Sequence, residues 1–170
     1  MPNKDGSSNA GLLALVLAVA ATVAPAGAAS AAPAAQRSYG DLSEHWRENA
    51  EIEAWYGAMH RLREDFDQIC GDTFCEGDYS NIYALRFRCS VEAGTGVVGQ
   101  CLWVFAASNE EIAADTGRIS VQPKVWRCRV PLAPRTQASA LLGALSAQRP
   151  LYATLPGTDK SIYDGLVDCL

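Results

Sequence analysis

Six cysteines constrain this chain more than any other feature: Cys70, Cys75, Cys89, Cys101, Cys128 and Cys169, an even set with no C-x-x-C spacing. That pattern excludes thioredoxin-like redox chemistry, haem attachment and paired zinc knuckles, and behind an export signal it reads as three disulfides. With 49% hydrophobic and 19% charged residues, the chain has the composition of a globular domain with its own core, which the bridges staple rather than replace. The formal charge of −5, from 14 basic and 19 acidic side chains, argues against a nucleic-acid partner.

The export signal is read from residues 1–28. Lys4 precedes an uncharged run whose apolar heart, Leu12 to Ala24, has the length of a signal-peptide h-region and falls short of a membrane span. Ala26-Gly27-Ala28 fits the small-x-small cleavage rule, and the alanines that follow leave the cut anywhere over 28–36. Residues 29–40 then read as a flexible Ala/Pro-rich segment and 41–170 as a single domain. The expectation is a protein of the periplasm or the cell exterior, with no stable membrane insertion after cleavage.

Asp41-Leu42-Ser43-Glu44 has capping-box form, and Ile52, Trp55, Met59, Leu62, Phe66 and Ile69 follow at intervals of three and four. This predicts one amphipathic helix over 42–70, ended by Gly71. Tyr83, Leu85, Phe87, Cys89 and Val91 then alternate with polar or small residues, the period of a half-buried strand. A second apolar run spans 101–106. If 93–97 turn between them, Cys89 faces Cys101, Phe87 faces Trp103 and Leu85 faces Phe105, a set that a one-residue slip would destroy. That register assigns the Cys89–Cys101 bridge. Nearness in sequence assigns Cys70–Cys75, and Cys128–Cys169 follows by elimination. The same hairpin holds Gly94-Thr95-Gly96-Val97-Val98-Gly99, a G-x-G-x-x-G match, but a β-prone run follows where phosphate binding needs a helix N-terminus. No nucleotide or other cofactor is expected.

A longer hairpin turning at Asp115-Thr116-Gly117 returns through 118–130, where Pro123 marks an edge or a kink. With Trp126, Cys128 and Val130 inward, Arg127 and Arg129 stand on the outer side with Arg86 and Arg88, flanking Leu102, Val104 and Ala106. An apolar strip between arginines on an acidic protein is the pattern of a partner-binding surface. The competing expectation is that C-terminal segments cover it. Those segments predict two helices, one capped by Thr136 and running to Gln148, the other capped by Thr158 or Asp159 and carrying Ile162, Leu166 and Cys169. The fold expected is α+β: a long N-terminal helix packed on a three- or four-stranded antiparallel sheet, closed by two shorter C-terminal helices.

Catalytic signatures are absent from the sequence: no nucleophile elbow, phosphate loop or H-E-x-x-H. His45 and His60 lie too far apart on a helix to share a metal, and His60 with Glu64 reads as an ordinary helix-surface contact. Asp72, Glu76, Asp78 and Asn81 gather in one loop as weak calcium candidates, without EF-hand spacing. Two functions follow. One is a binding module, of inhibitor or immunity type, that holds a partner protein through Arg86, Arg88, Leu102, Val104, Arg127 and Arg129. The alternative is a small envelope hydrolase using the acidic loop 72–81.

Overall fold

The computed structural model describes residues 37–170, so residues 1–28, read as an export signal, and most of the segment read as Ala/Pro-rich and flexible lie outside the described residues. The described chain is α+β. Four antiparallel strands, β1 (Tyr39–Asp41), β2 (Tyr83–Glu92), β3 (Val98–Ile112) and β4 (Ile119–Arg129), form one sheet in sequence order. α1 (Asn49–Ile69), α2 (Ala138–Leu145) and α3 (Ile162–Val167) pack on one side of it. β1 begins inside the segment read as flexible, because Tyr39 and Gly40 pair with Glu92 and Val91.

The first helix starts later than the capping box suggests. Asp41 does cap, accepting from the Ser43 N–H at 2.9 Å and its hydroxyl at 2.8 Å, but the capped element is a single tight turn, Leu42–Glu44. The chain then extends, and α1 begins afresh with Glu48 as its cap, whose N–H donates to the Glu51 carboxylate at 3.3 Å. This break lets Leu42 and Trp46 both reach the core, Trp46 packing 6.0 Å from Trp55, which a continuous helix would not allow. At the other end Gly71 does not adopt a left-handed conformation. A wide turn, Cys70–Phe74, continues the helix instead and the Cys70–Cys75 bridge fastens it.

The buried stripe of α1 is Trp55, Ala58, Leu62, Asp65 and Phe66, with Ile52, Met59 and Ile69 only half-buried at its margin. Phe66 reaches the sheet between Trp103 and Phe105, at 5.8 and 4.7 Å, and Trp55 meets Phe87 at 6.3 Å. Asp65 is a charged residue in that stripe, only 5% exposed. Its carboxylate accepts from the Leu151 N–H at 3.1 Å and from Arg149 Nε at 3.4 Å, tying α1 to the turn Pro150–Tyr152. A buried carboxylate without such donors would be strongly destabilising.

In the central hairpin Cys89 faces Cys101 and Phe87 faces Trp103 as the alternation requires, but Leu85 does not face Phe105. A β-bulge between Ala84 and Arg86 makes Leu85 the extra residue. Ala84, 1% exposed, takes the place opposite Phe105, and Leu85 turns outward, 46% exposed. A bulge shifts the pleat by one residue, so the small side chain lies under the bulky ring and the large one leaves the core. The loop glycines Gly94 and Gly96 are left-handed. Gly99 lies in β3, where a Cβ would stand 2.7 Å from Ser90 Oγ and 2.9 Å from the Tyr39 ring, so that position serves close packing.

Both C-terminal helices are shorter than read, and their caps differ. Thr136 does not cap α2: its hydroxyl donates to the Ala133 carbonyl at 2.7 Å, and its own carbonyl accepts from Val98. Gln137 pairs with Val97 and becomes the cap, so the start of α2 is stitched to the hairpin loop. Ser161 caps α3 in a reciprocal box with Asp164, in place of Thr158 or Asp159.

β4 runs through Pro123 without a break, paired with β3 from Leu102–Arg129 to Ile112–Ile119, and forms an edge of the sheet. The Val130 N–H donates to Cys101 and the Arg118 carbonyl accepts from Ala113. Even-numbered residues of β4 therefore bond β3, and odd-numbered ones turn their backbone groups to the free edge. Pro123 is odd, so its missing donor falls on the open side, where a proline is tolerated. Three disulfides, Cys70–Cys75, Cys89–Cys101 and Cys128–Cys169, mark a protein of an oxidising, non-cytoplasmic compartment. Among the described residues no helix is long and apolar enough to cross a membrane.

Candidate functional site

Side chains alternate across a sheet, so the register alone decides what its two faces carry. The inner face holds Phe87, Cys89, Cys101, Trp103, Phe105, Trp126 and Cys128 against the helices. The outer face follows in rows across the strands: Arg88, Leu102 and Arg129; Arg86, Val104 and Arg127; Tyr83, Ala106 and Val125. Beyond the end of β2 the β3–β4 ribbon continues with Ser108 and Pro123, Glu110 and Val121, Ile112 and Ile119.

No described element covers this face. The Cys128–Cys169 bridge draws the C-terminus to the inner side, and α3 is anchored there through Tyr163 on Phe74, 5.9 Å apart. The expectation that C-terminal segments would mask the arginines is corrected accordingly. Arg86, Arg88, Arg127 and Arg129 are exposed and Leu102, Val104 and Ala106 are half-buried between them. Arg88 donates from Nε to Asp41 at 2.6 Å, while Arg86, Arg127 and Arg129 make no ion pair among the described residues. Burial opposes ionisation of Asp41, yet donation by the Ser43 N–H and hydroxyl and by Arg88 holds its carboxyl below the ordinary value.

The sequence reading did not extend this face along the ribbon. Val125, Val121, Ile119 and Ile112 are 47%, 58%, 60% and 71% exposed. Counting in twos from Arg127 reaches Val125, Val121 and Ile119. The alternation carries that signal, and Pro123 interrupts it.

The acidic loop gives no comparable arrangement. Asp72, Glu76 and Asp78 are exposed, and Asn81 is engaged elsewhere, donating to Ser108 Oγ at 3.2 Å and accepting from the Ser108 N–H at 3.0 Å. Among the described residues no three His, Cys, Asp or Glu side chains are grouped to hold a metal. His60 meets Glu64 at 3.2 Å on the helix surface.

A cleft of about 510 Å³ lies at the broken start of α1 between Asp41, Glu44, His45, Trp46, Arg47 and Glu51. Two of its carboxylates are already committed, Asp41 to Ser43 and Arg88 and Glu51 to the Glu48 N–H. The remaining groups form no nucleophile and base pair of the kind that acyl or glycosyl transfer requires. The chain matches no protein-family model, no curated protein and no solved structure.

Proposed function

We propose that this is an exported, disulfide-stapled binding module of the periplasm or the cell exterior, of inhibitor or immunity type, which holds a partner protein on the open face of its sheet. The observation that carries this reading is the uncovered pair of rows Arg88, Leu102, Arg129 and Arg86, Val104, Arg127, an aliphatic strip between arginines on a protein of net charge −5. An exposed apolar patch rimmed by one sign of charge is the usual form of a recognition surface, the charge giving selectivity and the aliphatic strip giving area. The test is affinity capture by the oxidised protein beside its Arg86→Ala/Arg129→Ala variant, from envelope and culture-supernatant extracts. A stoichiometric protein held by the first and lost from the second supports the face. Equal retention by both overturns it.

A further inference from the structure

We infer that the occupant of this face is an acidic amphipathic helix of the partner, lying lengthwise over β3 and reaching the exposed aliphatic side of the β3–β4 ribbon. The inference rests on the partner-binding reading above and specifies its chemistry. The outer rows form a trough: short side chains Leu102, Val104 and Ala106 are its floor, and Arg88, Arg86 and Tyr83 on β2 with Arg129, Arg127 and Val125 on β4 are its rails. Two strand spacings of about 4.8 Å set the rails about 10 Å apart, the diameter of a helix with its side chains. A helix projects carboxylates to both sides of an apolar ridge and so meets both rails. An extended strand points its side chains down and up and meets neither.

Charge complementarity selects an acidic occupant. The six rows between Leu102 and Ile112 hold four arginines and a single carboxylate, Glu110; with Arg88 paired to Asp41, Arg86, Arg127 and Arg129 are the cations left to meet a partner's carboxylates. A second copy would bring mostly like charges together. The run from Leu102 to Ile112 spans about 34 Å at strand rise, which a helix of about 22 residues covers. Over its second half that helix would meet Val125, Val121, Ile119 and Ile112, whose exposure on one side of the ribbon nothing else in the fold explains.

The test uses the oxidised full chain and two labelled 21-residue peptides of three heptads with leucine at a and d, one with glutamate and one with lysine at e and g. Binding is read by fluorescence anisotropy. The glutamate peptide is expected to bind at least about tenfold tighter than the lysine peptide, with an affinity that falls as salt rises. Arg86→Ala/Arg129→Ala and Ile119→Ser/Val121→Ser should each weaken it about tenfold, the loss expected from two rim contacts. All four positions are exposed, so both variants should keep the wild-type circular dichroism spectrum. Equal binding of the two peptides, or none, overturns the inference. Loss in the arginine variant alone overturns the lengthwise helix and leaves the arginine face standing, whereas loss in neither variant sinks both. A concentration-dependent dimer in sedimentation velocity, abolished by Ile119→Ser/Val121→Ser, gives the face to a second copy and also overturns it.

Discussion

Replacing Asp65 with alanine tests whether the α1 core stripe depends on a charged residue for its attachment to the C-terminal segment. In the native protein its carboxylate accepts from the Leu151 N–H at 3.1 Å, beside a leucine side chain that is fully buried. The alanine variant leaves that N–H without an acceptor, at a cost of about 1–3 kcal/mol. It also frees Arg149, whose side chain is 54% exposed, so that this contact contributes at most about 1 kcal/mol. Removing a buried charge relieves some desolvation, which places the expected total near 2 kcal/mol. Asp65→Asn retains an acceptor for Leu151 and should lose about half as much. Arg149→Ala should lose less than about 1 kcal/mol. Urea unfolding of the oxidised proteins, followed by tryptophan fluorescence, measures all three, provided the slope with denaturant stays constant. An Asp65→Ala midpoint equal to wild type, or an Arg149→Ala loss as large as that of Asp65→Ala, would refute the reasoning.

Other outcomes follow from the same structure. Leu85→Ser should cost less than about 0.5 kcal/mol because the bulge leaves that side chain outside the core, whereas Ala84→Leu should cost about 1–3 kcal/mol by overpacking against Phe105; thermal unfolding separates the two, and the reverse order would mean an unbulged register. Removing the Cys128–Cys169 bridge by paired alanines opens a connection of 41 residues and should cost about 4 kcal/mol, against about 2 kcal/mol for the Cys70–Cys75 bridge with its separation of 5, on the chain-entropy estimate. Asp41 has a lowered folded-state pKa, so its contribution is present above the ordinary value of 3.8 and is lost as pH falls through the folded one. The stability gap between wild type and Asp41→Asn should accordingly stay constant above the ordinary value and narrow as the pH is lowered below 3.8. A gap that does not narrow there would remove the Asp41 contacts as its cause.

What was legible in the sequence was whatever depended on short-range alternation. Cys89 with Cys101 and Phe87 with Trp103 follow from a period of two on either side of the first turn, and the four outward arginines from the same period in the two strands that flank β3. The errors lie where tertiary packing overrides a local pattern. Asp41 caps as its residue type demands, yet the helix it should begin stops after one turn because Leu42 and Trp46 both have places in the core. Leu85 reads as a core residue because nothing in its neighbourhood announces the bulge between Ala84 and Arg86. The openness of the arginine face was not readable at all, since it depends on which side of the sheet a bridge some forty residues away pulls the C-terminus.

Pro123 divides the uses to which the exposed edge and the exposed face can be put. Along β4, Ile119, Val121, Val125, Arg127 and Arg129 offer outward amide protons, and Pro123 between them offers none. A foreign strand could zip up to the proline from either end but could not run through it. Growth by backbone pairing, which accepts almost any sequence, therefore stalls after a few residues. Beside that interrupted edge the side chains of the same strand stay exposed, so the molecule displays bare aliphatic surface without a continuous backbone edge next to it.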